Sequence, residues 1–225
     1  MAICTKKYAL IMDEEISIID SKTRNEKIKD FLIKNKKIFL IFLCSLVLIL
    51  IIFFAYKAYK DNERLKISNS YNSSILDYKP SSKNSTLKKL IEIIKKKDPT
   101  YSPLSLFFII DNDLILEKEK INNFFDILIN QTSLEEEIKY LVIYKKALFN
   151  ADTSNEKELL DMVMPLIKSD SIWKSHALYL MGEFFFSNNE KEKSKEFFNQ
   201  LVELEVANQD LKKEARKRLN RDLGE

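Results

Sequence analysis

Between Lys37 and Lys57 the chain carries nineteen consecutive residues without a charge, Ile38-Phe-Leu-Ile-Phe-Leu-Cys-Ser-Leu-Val-Leu-Ile-Leu-Ile-Ile-Phe-Phe-Ala-Tyr56. At about 1.5 Å rise per residue, a helix of that length nearly matches the roughly 30 Å hydrocarbon core of a bilayer. A soluble domain of ordinary size seldom buries such a run on every side. The run therefore predicts one transmembrane helix over 38–56, with Ile38, Phe39, Leu46, Leu50, Phe53 and Tyr56 among its anchoring residues. A secretory signal peptide is the nearest alternative, but its apolar region is shorter, about 7 to 15 residues, and ends at a small-x-small cleavage site. Neither Phe53-Phe54-Ala55 nor Ala55-Tyr56-Lys57 supplies one, so the helix is expected to stay attached.

Charge on the two flanks sets the expected orientation. Lys22, Arg24, Lys27, Lys29, Lys34, Lys36 and Lys37 precede the run, against Lys57, Lys60, Arg64 and Lys66 beyond it. The excess of basic residues on cytoplasmic flanks predicts a cytosolic N-terminus, with Tyr56 and Tyr59 as aromatic anchors at the far interface. The expected cytosolic tail is 1–37, short and charged, with one interfacial turn, and Met12 before Asp13-Glu14-Glu15 reads as an alternative start. Residues 1–57 carry 10 Lys/Arg against 6 Asp/Glu, whereas 58–225 carry 27 against 28, so the net charge of +3 belongs to the anchor region. A nucleic-acid binder concentrates positive charge on its folded domain, so none is expected as a partner here.

With only 2 glycines and 4 prolines, the chain is poorly supplied for phosphate-cradling loops, bulges and primed hairpin turns, which draw on glycine for positive φ. The expected fold class is all-α. Cys4 lies in the tail and Cys44 in the apolar run, which leaves the displayed domain without a thiol for a disulfide or a metal. Beyond Tyr56 a stalk helix is expected to run to about Tyr78, followed by a loop at Lys79-Pro-Ser-Ser-Lys-Asn-Ser85, the two together forming a 57–85 segment. Helical patterning then predicts eight segments in 86–225, at 86–97, 101–111, 117–130, 134–150, 155–168, 171–188, 190–205 and 207–222. Ser133 with Glu136, Thr153 with Glu156 and Asn189 with Glu192 have capping-box spacing. Pro165 is expected to kink the helix from 155 or end it early.

Helices of this length joined by short links pack against their neighbours, and a series of such pairs is the pattern of a helical solenoid. Leu178, Met181, Gly182, Phe185, Ser194, Phe198 and Leu201 fall at the spacing of one tetratricopeptide repeat, whose small residues let two helices approach while aromatics fill the gap. A more divergent unit places Tyr101, Leu104, Ser105 and Phe108 on one helix and Asn122, Phe125 and Leu128 on the next. Segments 134–150 and 155–168 carry almost none of the consensus.

A tail ending in Lys36-Lys37, one span, a stalk, Tyr101-Ser-Pro-Leu-Ser105, and Ile172-Trp-Lys-Ser-His-Ala177 leading into the last repeat together resemble a known family. It comprises the tetratricopeptide-like, single-span proteins of Gram-negative bacteria related to the ancillary subunit of the SecYEG translocon. Trp173 and the ending Lys213-Glu-Ala-Arg-Lys-Arg-Leu219 look like its alphaproteobacterial branch. The resemblance implies an inner-membrane protein with a periplasmic domain. Its implied partners are translocon subunits, periplasmic chaperones or exported chains.

If Gly182 is the small position of its repeat, the adjoining face of its helix should line a concave surface through His176, Tyr179, Glu183 and Phe186. The competing reading packs Tyr179 and Phe186 against neighbouring helices and leaves His176 and Glu183 solvated. His176 is the only histidine, which removes Ser-His-Asp and Cys-His chemistry as well as the multi-His zinc site; no catalytic residue, metal or cofactor is expected. Glu135, Glu136 and Glu137 suit a helix start, and Lys95, Lys96 and Lys97 a helix end. The expected function is a periplasmic protein-interaction module linked to the translocon and its chaperones. Its rivals are a scaffold for another envelope assembly (outer-membrane protein insertion, cytochrome maturation or division) and a structural homo-oligomer.

Overall fold

The computed structural model describes residues 26–224. Cys4, Met12 and the rest of the tail before residue 26 lie outside the described residues. The chain divides into two compact units, Met1–Asn62 and Glu63–Glu225. Among the described residues the secondary structure is helical, with no strand.

In the first unit, residues 26–34 are helical and the helix is interrupted at Asn35. The long helix α1, Lys36–Leu76, begins directly after it. Its most apolar stretch has a mean hydropathy of 3.4, and none of that stretch is buried against protein. This is one helix long and apolar enough to span a membrane. A soluble core helix of the same composition would be covered by its neighbours, and this one presents Phe39, Leu46, Leu50, Phe53 and Tyr56 outward.

The second unit begins within α1. Ile67, Tyr71, Ile75 and Tyr78 pack on the first hydrophobic cluster, while Leu65 and Leu76 stay exposed. The Tyr101 hydroxyl donates to Ser68 Oγ at 2.7 Å, and the Tyr71 and Tyr101 rings lie 5.6 Å apart. The end of the segment expected to be a stalk is thus part of the folded domain, because its period-3.6 stripe of Ile67, Tyr71 and Ile75 has a hydrophobic partner surface.

Eight further helices follow: α2 Lys83–Lys96, α3 Tyr101–Asp111, α4 Lys118–Gln131, α5 Glu136–Asn150, α6 Glu156–Ile167, α7 Trp173–Ser187, α8 Lys191–Glu203 and α9 Gln209–Lys217. From α2 onward each helix packs on the next, and α2 with α4, α5 with α7 and α7 with α9 also meet. Three clusters hold them. The first joins α2, α3 and α4 through Leu90, Ile94, Leu106, Ile109, Phe125 and Leu128. The second joins α5, α6 and α7 through Ala147, Leu159, Val163, Leu166, Met181 and Phe185. The third sets Leu178 of α7 against Phe198 and Leu201 of α8, Ala215 of α9 and Leu223. Full burial of each large apolar side chain is worth roughly 1.5–3 kcal/mol, so the clusters carry most of the domain's stability.

Helix ends explain where the boundaries moved. The polar run from Lys79 to Ser85 starts a helix rather than forming a loop: Pro80 opens a 3-10 turn, Pro80–Ser82, and Ser82 Oγ accepts the Lys79 N–H at 3.0 Å before α2 begins. None of the three expected capping boxes forms, and only the one at the start of α6 has a displaced counterpart. The observed box is Asn155 with Glu158, where Asn155 Oδ1 accepts the Glu158 N–H at 3.0 Å and Glu158 Oε2 accepts the Asn155 N–H at 3.2 Å. Asn189 ends α7 instead of starting α8, sitting at φ 61° while the Glu190 N–H reaches Phe185 O at 2.9 Å. Asp113 ends α3 in the same way at φ 48°, with the Leu114 N–H donating to Ile109 O at 2.9 Å. A chain with so few glycines gives this left-handed terminus to Asn189 and Asp113, the residue types that tolerate it best after glycine, and at the end of α2 to Lys97 at φ 56°. Pro165 does not stop α6, which runs two residues past it to Ile167.

Candidate functional site

Helix α7 carries all four residues expected to line a binding surface, and each is half-buried. They fall into two environments. His176 belongs to an aromatic group, its ring 4.9 Å from that of Trp173 and 5.5 Å from that of Tyr144, with Nδ1 3.4 Å from Ile172 O. Trp173 and Tyr144 stack at 5.7 Å, and burial pushes the Tyr144 phenol pKa up.

Tyr179, Glu183 and Phe186 face the end of the chain instead. Arg218 Nε and Nη2 donate to the two oxygens of Glu183, each at 2.8 Å, and its guanidinium lies 4.9 Å from the centre of the Phe186 ring. Arg218 Nη1 also donates to Asp222 at 2.9 Å, and Arg221 Nε donates to Asp222 at 2.7 Å. The planar fork of Arg fits a carboxylate in two-point contact and stacks on aromatic faces, so one residue engages Glu183 and Phe186 together. Hydrogen bonds from Arg221 and Arg218 hold the Asp222 carboxyl well below the usual carboxylate range, and those that Arg218 donates to Glu183 and Asp222 raise its own pKa. Tyr179 packs on Phe198 at 5.6 Å, and burial, followed by Glu183, raises its phenol pKa. Of the α7 face read as an open groove, Glu183 and Phe186 are therefore engaged by the chain's own C-terminal segment, and His176 is not. In the sequence, Arg218 sits in the basic run Lys212–Arg221, where nothing singles it out.

Another face of the domain is open. A hollow of about 450 Å³ is lined by Leu148, Ala151, Leu180 and Phe184 and by the polar Asp152, Ser154, Glu183, Ser187 and Asn188. A second, of about 220 Å³, is lined by Phe107, Ile110, Phe125 and Phe149, with Asp111 and Lys145 at its edge, and it shares Leu148 with the first. The two hollows adjoin at Leu148, which is 46% exposed. Their walls come from α3, α4, α5 and α7. Lys145 Nζ lies 5.5 Å from the centre of the Phe107 ring, where its butyl stem covers apolar surface while the charge stays in water. The second hollow is mainly apolar and the first mainly polar, a mixture that suits side chains of another polypeptide. The sequence does not announce this surface, because α5 carries almost none of the repeat consensus and an exposed leucine has no signature of its own.

No family model, curated protein or solved structure matches this chain. Residues placed at repeat spacing do lie in close approach at one helix pair. A Cβ on Gly182 would come within 2.6 Å of the Phe198 ring, and Ser194 Oγ donates to Gly182 O at 2.8 Å. Elsewhere α4 and α5 are tied by a reciprocal amide pair, Asn150 Nδ2 to Asn122 Oδ1 at 2.7 Å and Asn122 Nδ2 to Asn150 Oδ1 at 2.9 Å.

Proposed function

We propose that this is a single-span inner-membrane protein with its N-terminus in the cytoplasm, and that its domain is a tetratricopeptide-like module binding other proteins on the periplasmic side. The open surface around Leu148, mainly apolar on one side and polar on the other and walled by α3, α4, α5 and α7, carries the reading. The exposed apolar α1 and the lysine-rich flank before it support the anchor and its direction. The close approach at Gly182 and Ser194 supports one repeat-like helix pair. Partners at the SecYEG translocon, its subunits or the chaperones that receive exported chains, follow from the family resemblance. A scaffold for another envelope assembly is the alternative for the same surface.

A photoreactive residue at position 148 of the full chain, activated in intact membranes, tests this directly. Adducts with translocon subunits or periplasmic chaperones are expected. Adducts with other envelope assemblies would transfer the module to them, adducts only between copies of this chain would make it a homo-oligomer, and no adducts would remove the binding role of this surface. A probe at 186, covered by Arg218, should label far less than one at 148.

A further inference from the structure

The segment before the span has a pattern that the anchor does not require. On a helix of about 100° per residue, Ile28, Phe31, Leu32 and Asn35 fall within about 100° of arc. Lys27 and Lys34, seven apart, border that arc on one edge, and Lys29 and Lys36, also seven apart, border it on the other. Lys37 and Asp30 lie opposite the stripe, and Ile33 is the one apolar residue off it. Ile28, Phe31 and Leu32 are 51%, 65% and 42% exposed, so no protein surface covers this stripe among the described residues.

A second observation indicates what covers it. At Asn35 the side-chain Nδ2 and the backbone N–H both donate to Phe31 O at 3.0 Å, and the helix is interrupted there. Side-chain competition for a main-chain carbonyl is a common cause of bending. Around this point lies an apolar hollow of about 320 Å³, lined by Phe31 and Leu32 on one side of Asn35 and by Ile38, Phe39 and Phe42 on the other. The apolar face of residues 26–34 and the start of the span thus open onto a shared apolar space. For a segment emerging from a bilayer, that space is occupied by lipid.

We propose that residues 26–37 form a lysine-bordered amphipathic anchor that beds Ile28, Phe31 and Leu32 at the headgroup–acyl boundary of an anionic leaflet. The inference rests on the reading that α1 crosses the membrane. Four border lysines are placed to snorkel to lipid phosphates while the stripe between them enters the acyl boundary. An anionic cytoplasmic leaflet attracts basic residues beside a span by about 1 kcal/mol each, an effect that salt screens. The segment thereby makes the anchor sensitive to lipid charge as well as to bilayer thickness.

Nitroxide labels placed singly at positions 28, 30 and 46 of the full chain, with Cys4 and Cys44 replaced by alanine, test this in phosphatidylglycerol-rich and pure phosphatidylcholine vesicles. In anionic vesicles the label at 28 should favour collisions with oxygen over a water-soluble nickel chelate, and the label at 30 the reverse. The label at 46 should lie deep in both lipids. In phosphatidylcholine, or in high salt, the label at 28 should move at least several-fold toward water. Equal water access at 28 and 30 in anionic vesicles, with 46 still deep, overturns the inference and leaves the span intact. Water access at 46 overturns the span itself. Burial at 28 that ignores lipid charge and salt overturns the lysine–phosphate attraction.

Discussion

Two small buried residues show how differently the same size can matter. Gly182 is small because Phe198, fully buried on α8, occupies the space a side chain would need. Gly182→Ala is therefore expected to force the ring aside and lower stability by about 1–3 kcal/mol, the usual range for overpacking. Ser105 is also completely buried, but its hydroxyl has no hydrogen-bond partner. Removing an unpaired buried hydroxyl relieves a desolvation cost, so Ser105→Ala should stabilise by about 1 kcal/mol. Urea unfolding of the full chain in detergent, followed by fluorescence of the single Trp173, checks both; changes of the same sign would contradict this account. Both positions were picked out in the sequence by repeat spacing, which marks a residue as small. Spacing is silent on whether a ring or an orphaned hydroxyl fills the gap.

At the scale of elements, two polar contacts decide how helices are held. The Asn122–Asn150 pair sits where α4 meets α5, with Asn150 buried. Asn122→Ala leaves the Asn150 amide short of a partner and is expected to cost about 1–3 kcal/mol, whereas the double replacement Asn122→Leu with Asn150→Leu should cost much less. A double-mutant cycle in the same unfolding assay measures the coupling, and additive losses would rule out the pairing. The C-terminal segment is held through Arg218, so Arg218→Ala should accelerate amide exchange across 209–223 while leaving the exchange of α2–α4 unchanged. Asp222 gives this contact a pH dependence. Its carboxyl is held below its ordinary range by Arg221 and Arg218, so it contributes stability above the unfolded value near 4, and that contribution is lost as pH falls from about 4 toward its folded value. Exchange at 209–223 should rise first as pH is lowered below about 4. The eight helices α2 to α9 were all legible from periodicity, but their caps were not. Capping boxes need a side chain aimed at one particular amide, and Asn155–Glu158 beat Thr153–Glu156 by where the chain turns after Asn150.

For the whole molecule, the span is the simplest thing to break. Arginine at the centre of a transmembrane helix costs about 2.5–3.5 kcal/mol, so Leu46→Arg with Leu50→Arg should move the chain from the membrane pellet into the supernatant on alkaline extraction. Retention in the pellet would argue against α1 as the anchor. The sequence by itself determined the all-helical content, the apolar run and the position of nearly every helix. These depend on local quantities: hydrophobic period, the absence of charge and the scarcity of glycine. Only the tertiary structure decided which surfaces are free. It set the end of α1 into the first cluster and laid Arg218 over Glu183 and Phe186. It also opened the hollows around Leu148 on a helix whose sequence carries no motif. Coverage is a property of pairs of segments far apart in the chain, Glu183 with Arg218 or Phe107 with Leu148, and no spacing along one helix encodes which distant segment will come to rest on it.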